Sequence, residues 1–132
     1  MSPEPKITTE QTPGKDPVTI LHLHGGLDLK SEALLFDDAN TAYKQGARRL
    51  VIDLAEVDRI TSAGMRALTK VYNLFTPEAE RGKGAYVRMC GGKEHVTDVL
   101  DMTGFLKRIP HHKTEPDALE AFHAPMPPVQ EP

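Results

Sequence analysis

The sequence predicts an α/β fold with a mixed β-sheet of about five strands and about four helices, in the order β-β-α-β-α-β-α-β-α. Three observations carry this reading. Short apolar runs alternate with amphipathic stretches along most of the chain, the pattern of strands joined by helices. Residues 50–54 are apolar almost throughout, as a strand buried on both faces must be. Glycines stand where elements should end, at Gly25 and Gly26, Gly46, Gly91 and Gly92, and Gly104. Strand–helix alternation implies parallel neighbours joined by right-handed crossovers, and a hairpin at the start adds an antiparallel member.

The elements follow in order. Residues 6–11 form a first strand, and the segment 12–17, with Pro13, Gly14 and Pro17, forms a turn. Residues 18–24 alternate and are rich in strand formers, and Gly25 and Gly26 should stop them. Ser31 is placed to cap a helix running to Gln45, with Leu34, Leu35, Ala39, Ala42 and Tyr43 on its apolar side and Gly46 as its stop. After the central strand 50–54, a helix opens at residues 61–64 and sets Met65, Leu68, Val71, Tyr72 and Phe75 at three-to-four spacing. Ala63, Gly64 and Ala67 are small enough for this helix to lie close to the sheet. Pro77 and the polar run 78–84 end it. Residues 85–90 form a further strand and residues 94–103 a short helix, with Val96, Val99 and Leu100 inward. Residues 105–109 read as the last strand, and Thr114 with Asp117 reads as the capping arrangement of a helix through Phe122. One domain therefore spans 5–122, with flexible tails at 1–4 and at the proline-rich 123–132.

Composition bounds the function. A net charge of −3 and a pI near 6 give no basic footprint, which argues against nucleic acid as a partner. Three Tyr, four Phe and no Trp leave an aliphatic core. No apolar run is long enough to insert into a membrane, and the first residues lack the basic start and apolar centre of a signal peptide. Cys90 is the lone cysteine, so no intrachain disulfide forms and a cytoplasmic location is expected.

The candidate site is the mouth of the helix at 61–64. A serine there, Ser62, faces unpaired backbone N–H groups and the positive end of the helix dipole, a place that suits an added phosphate. The same residue also reads as a plain helix N-cap. Arg66 lies one turn further on, within reach of such a phosphate or simply solvated. Asp28 is expected at the same sheet edge, as a partner contact or a turn cap. His22 and His24 share a strand face and His111 and His112 are adjacent, but no Cys or acidic residue joins either pair at a tight ligand spacing, so no metal and no cofactor are expected. Cys90 reads as a small buried residue at a strand end. A hydrolase reading with Ser62 as nucleophile fails at position −2, where a nucleophile elbow needs Gly and this chain has Ile60.

Three segments resemble, in order, the STAS domain of the anti-sigma factor antagonist family. They are Gly25 followed by Leu27 and Asp28, Asp53 to Val57 followed by Ser62, Ala63 and Gly64, and Val99 to Leu106 with its turn through Gly104. The resemblance covers residues 5–122 and implies the STAS fold. It further implies a binding protein and not an enzyme. Unphosphorylated, such a protein sequesters an anti-sigma factor that is also a serine kinase, and so frees a sigma factor. Phosphorylated, it releases that partner, and a serine phosphatase resets it. Carried over to this chain, the acceptor is Ser62 and the partner-binding surface comprises Asp28, Thr61, Ser62, Ala63, Gly64, Met65 and Arg66. Many members carry an acidic residue directly before the acceptor. This chain has Thr61 there, which offers a second hydroxyl acceptor. An alternative is a STAS module that is never phosphorylated and binds a small ligand, a lipid or a transport complex. The oligomeric state is not set by the sequence, and a homodimer stays open.

Overall fold

Parallel strands that follow one another across a sheet, each joined by a right-handed crossover, put all of their helices on the same face. The computed structural model, which describes residues 4–14 and 16–123, has this arrangement. Five strands stand in sequential order: β1 (Lys6–Gln11), β2 (Thr19–Leu27), β3 (Leu50–Ile60), β4 (Val87–Cys90) and β5 (His111–His112). β1 runs antiparallel to β2, and every other pair is parallel, so the sheet is mixed as expected. The helices are α1 (Leu29–Lys44), α2 (Ser62–Phe75), α3 (Glu94–Met102), the single turn α4 (Phe105–Arg108) and α5 (Glu115–His123). A short 3₁₀ turn, Glu78–Glu80, follows α2. The expected flexible ends lie almost wholly outside the described residues, as does Lys15 in the expected turn.

Alternation decides which side chain meets which layer. Leu21, Leu23, Leu50, Ile52, Leu54, Val87 and Met89 face the main core, where Leu35 and Ala39 of α1, Leu68, Val71 and Phe75 of α2, and Val96 and Leu100 of α3 cover them. Tyr43 and Phe75 meet edge-on at 5.3 Å and join α1 to α2. The opposite face holds a smaller cluster of Val18, Ile20, Val51, Cys90 and Ala118, covered among the described residues by α5. Val51 and Ile52 therefore point to different clusters, which is why residues 50–54 are apolar at every position but Asp53.

The structure corrects several boundaries. β2 continues through Gly25 and Gly26 to Leu27, because β3 also runs on and pairs with it as far as Ile60, across two register shifts. Gly25 accommodates the bend with a φ of 89°. Half of residues 55–60 are polar and only Val57 is fully buried, so their strand character left no continuous apolar signal. The N-cap of α1 is Asp28, with Ser31 as its reciprocal partner three residues on, and not Ser31 itself. Residues 105–108 are a helical turn and not a strand. A short half-apolar run fits either state, and here Ile109 donates back to the Phe105 carbonyl at 2.9 Å to close the turn. The sheet pairing begins only at Pro110, whose carbonyl accepts from Met89 at 2.8 Å, and continues into β5. Proline at the start of an edge strand loses no ladder bond.

Gly64 sets how close α2 lies to the sheet. A Cβ there would overlap the Leu27 carbonyl oxygen and stand 2.6 Å from the Leu27 carbonyl carbon and 2.8 Å from Leu27 Cγ. The obstruction is mainly backbone and cannot swing aside. Gly64→Ala is therefore expected to destabilise the domain by about 2–3 kcal/mol, despite alanine's better helix propensity. Urea unfolding measures this, and equal or greater stability in the variant would contradict the packing.

Candidate functional site at the carboxyl edge of the sheet

The strands β2, β3 and β4 end at the same edge, and α1, α2 and α3 begin there. In open α/β sheets ligands settle in the crevice where the strand order reverses. Here the order runs from β1 to β5 without reversal, so the edge has no such crevice. It presents helix starts on an open surface.

Thr61 is the N-cap of α2, in an extended conformation. Its Oγ1 accepts from the Gly64 amide at 3.5 Å, its carbonyl accepts from Met65 at 2.9 Å, and its own amide donates to the Leu27 carbonyl at 3.0 Å. Ser62 is thus the first helical residue and not the cap. Its side chain is exposed and makes no hydrogen bond among the described residues. The amides of Ser62 and Ala63 likewise have no protein acceptor among the described residues and are open to an anion.

Asp28 is brought to the same edge, at the end of β2. Its Oδ1 accepts from the amides of Lys30 at 3.0 Å and Ser31 at 3.3 Å, and its amide donates to Ser31 Oγ at 2.8 Å. Its Oδ2 meets Arg59 Nη2 at 2.6 Å. Gly26 leaves room for this pair, since a Cβ there would come 2.7 Å from Asp28 Oδ2 and 2.9 Å from Arg59 Nε. Burial pushes the Asp28 carboxyl up, but the hydrogen bonds from Arg59, Ser31 and Lys30 and the Arg59 charge outweigh it and hold the group below its ordinary value. Arg66 does not stand free beside Ser62. Its Nε and Nη2 grip Glu32 of α1 at 2.9 and 3.1 Å, and Lys70 joins the same carboxylate at 3.2 Å. Met65 is half-buried, while Gly64 is buried beneath the surface.

Sequence spacing missed Arg59, Glu32 and Lys70, because their partners lie on other elements. It also missed Leu29, the first residue of α1, whose apolar side chain is 72% exposed at this edge. A leucine at the first helical position of an otherwise amphipathic helix was the available signal. Elsewhere, Cys90 is buried at the end of β4, and its thiol is pushed up to about 12 by burial and by the carboxylates of Asp53 and Glu115, so it is not a nucleophile. His22 gained carboxylate neighbours that sequence spacing did not reveal. Its Nδ1 lies 2.7 Å from Asp53, and its Nε2 lies 2.9 Å from Glu10 and 3.6 Å from Glu115. No described helix is long and apolar enough to cross a membrane.

A family model for the STAS domain matches residues 9–118. BtrV of Bordetella bronchiseptica, provisionally named as an anti-sigma factor antagonist, is 29% identical over 92% of this chain and 98% of its own. The crystal structure of an anti-sigma factor antagonist from Mycobacterium paratuberculosis superposes with a TM-score of 0.73 at 23% identity, covering 90% of this chain and 96% of that one. The anti-sigma factor antagonist SpoIIAA superposes in its unphosphorylated form with a TM-score of 0.68 at 16% identity, over 91% of this chain and 100% of that one. The phosphorylated form of the Bacillus protein gives 0.60 at 16% identity, over 86% and 98%.

Two stability measurements follow from the cap geometry. Thr61→Ala removes the cap and should cost about 1 kcal/mol, whereas Ser62→Ala should change stability by less than about 0.5 kcal/mol. A larger loss at Ser62 would reassign the cap. For Asp28 the folded value is the lower one, so its contribution is complete above the unfolded carboxylate range near pH ~4 and is lost as pH falls through the folded value. Urea unfolding across that acid range should show a flatter pH dependence for Asp28→Asn, which keeps a capping side chain but loses the charge. An unchanged slope would mean that the Arg59 pair does not stabilise the ionised form.

Proposed function

The chain belongs to the STAS domain family, and we propose that it is an anti-sigma factor antagonist switched by phosphorylation of Ser62. The observation that carries this reading is an exposed serine hydroxyl at the first turn of α2, beside two backbone amides with no described protein acceptor. Unphosphorylated, the protein sequesters an anti-sigma factor with serine kinase activity in the cytoplasm and so frees a sigma factor. A serine phosphatase restores this state. BtrV, 29% identical over nearly the whole chain, carries a name of this class, and SpoIIAA exists in unphosphorylated and phosphorylated forms.

The physics of the edge supports a protein partner over a small molecule. The sequential strand order gives this edge no strand-reversal crevice of the kind that holds small ligands in open α/β sheets. One open concavity of about 510 Å³ lies elsewhere, lined by Thr69, Tyr72, Asn73, Arg81, Gly82 and Arg108. At the edge itself, Leu29 and Met65 offer apolar contact around Thr61, Ser62, Ala63 and Gly64, with Asp28 and Arg66 supplying charge. The protein has no catalytic role in this scheme. It is the substrate of the kinase it binds.

Phosphorylation adds about −1.5 to −2 charge and three acceptor oxygens. At the first turn of α2 the fold tolerates this, because the dipole and the free amides favour an anion. The surface presented to the partner nevertheless turns negative. Arg66, one turn on, is held by Glu32, so a phosphate on Ser62 competes with that carboxylate for the same guanidinium.

Ser62→Ala is expected to keep partner binding and to make it insensitive to ATP. Ser62→Asp, with about one charge on a shorter planar group, should weaken binding without abolishing it. Pull-down with the kinase partner, with and without ATP, reads both. Release of the alanine variant on adding ATP would remove Ser62 as the acceptor. Thr61 lacks the charge that an acidic neighbour would show a kinase, so Thr61→Asp should alter the rate of Ser62 phosphorylation with a stability change below about 1 kcal/mol. Site-mapped phosphorylation kinetics of the wild type, Thr61→Asp and Thr61→Ala test this, and equal rates in all three would make that position neutral.

A further inference from the structure

The second sheet face carries a cluster that the antagonist function does not use. His22 lies at its centre on β2. Asp53 stands directly opposite on β3, and Glu10 lies on β1 two residues beyond Thr8, the direct neighbour of His22. Period-two alternation therefore points all three side chains to one side. Glu115, the first residue of α5, comes down on the same face. Four elements converge on one imidazole.

The hydrogen-bond inventory of that ring is short of a donor. Nδ1 lies 2.7 Å from Asp53 Oδ2, and Nε2 lies 2.9 Å from Glu10 Oε1 and 3.6 Å from Glu115 Oε1. Ionised carboxylates only accept, and a neutral imidazole has a single N–H. Once Nδ1–H is given to Asp53, the Nε2 lone pair faces two anionic oxygens. A cation must occupy that position, either a second ring proton or a metal ion.

We propose that Glu10, His22 and Glu115 form a binding site for a borderline divalent cation of the Zn²⁺ class, with Asp53 orienting the imidazole. The distances suit it. Metal–ligand bonds of about 2.0–2.2 Å, at angles between square and tetrahedral, separate ligand atoms by about 2.8–3.6 Å. The two Nε2–carboxylate separations, 2.9 and 3.6 Å, fall within that range, and all three ligand atoms lie within 4.8 Å of one another. The Asp53–His22 contact is the carboxylate–histidine arrangement that fixes a metal ligand's tautomer. Asp53 is itself held, since its Oδ1 accepts from the Ala55 amide at 3.0 Å. With the ring proton in place, three carboxylates surround one positive charge. A dication at Nε2, replacing that proton, neutralises more of them. The imidazole favours zinc-like ions over Mg²⁺ or Ca²⁺. Glu10 is 59% exposed, which leaves an entry path and room for water to complete the coordination. Bound there, the ion ties α5 to the hairpin and to β3, away from the edge that carries Ser62.

The test is isothermal titration of the full untagged chain with ZnCl₂, in two buffers of different ionisation enthalpy, together with thermal melting. Saturable binding of a single ion is expected, with a rise in melting temperature and a buffer-dependent heat that reports proton release from His22. Asp53→Asn should weaken the affinity about ten- to a hundred-fold. His22→Gln should abolish binding, and Glu10→Gln, at the most exposed ligand, should weaken it in a chain whose folding is verified by circular dichroism. The double variant His111→Gln, His112→Gln should bind as the wild type does. Absence of saturable binding in the wild type overturns the proposal and leaves an imidazolium held by carboxylates. So does binding that survives both His22→Gln and Glu10→Gln, or that disappears with His111 and His112.

Discussion

The close approach of α2 to the end of β2 is the constraint on which the candidate site depends. Gly64 lets the helix backbone lie against the Leu27 carbonyl, and the Thr61 amide donates to that same oxygen. One backbone acceptor therefore fixes both where α2 starts and how deep it sits. With Thr61 committed to capping, the next residue, Ser62, is turned outward with nothing to hold its side chain. A bulkier residue at 64 would lift the helix start and shift Ser62 away from the Leu27–Asp28 corner, where α1 also begins. The small residue that reads as a packing detail is what makes the first turn of α2 a defined surface.

Charges then dress that surface without building it. Exposed ion pairs are worth little to stability, and Arg59, Arg66 and Lys70 are each more than half exposed. Their value is positional. Asp28 ties the β2 end to β3 through Arg59, and Glu32 ties α1 to α2 through Arg66 and Lys70. Glu32 in turn lies below its ordinary carboxylate value because Arg66, and then Lys70, stabilise its charge. A cationic side chain already balanced by a neighbouring carboxylate gives an unmodified surface close to neutral.

Much of this was legible in the sequence, and the reasons differ by level. Core-facing residues at helical or alternating spacing gave α1, α2, α3 and the central strand, because burial writes a periodic signal. The outer half of β3 left none, since Glu56, Asp58 and Arg59 line an edge that faces solvent. The last strand was misplaced by a few residues because Phe105 to Arg108 suits a helical turn as well as a strand, and only the pairing of Pro110 with β4 decides between them. Ser62 and Thr61 were visible as a helix mouth, but which of them caps depends on one hydrogen bond to Gly64. Contacts between elements were not legible at all. Arg66 and Lys70 meet Glu32 across 34 and 38 positions of chain, and no local pattern encodes such pairs.

The one-sided helical layer has a consequence for the other face. Sequential right-handed crossovers put no crossover helix on that face, and α5, which crosses it, contributes Ala118, Leu119 and Phe122 to the apolar cluster beneath. Polar side chains stand at the margin of this small cluster, and those at the α5 start, Glu115 and Asp117, are acidic. Glu115 sits where negative charge favours its own helix, yet three carboxylates around a lone imidazole repel one another unless a positive charge lies between them. The same topology that leaves the helix starts open at one edge therefore gathers carboxylates on the opposite face, around His22, where α5 begins.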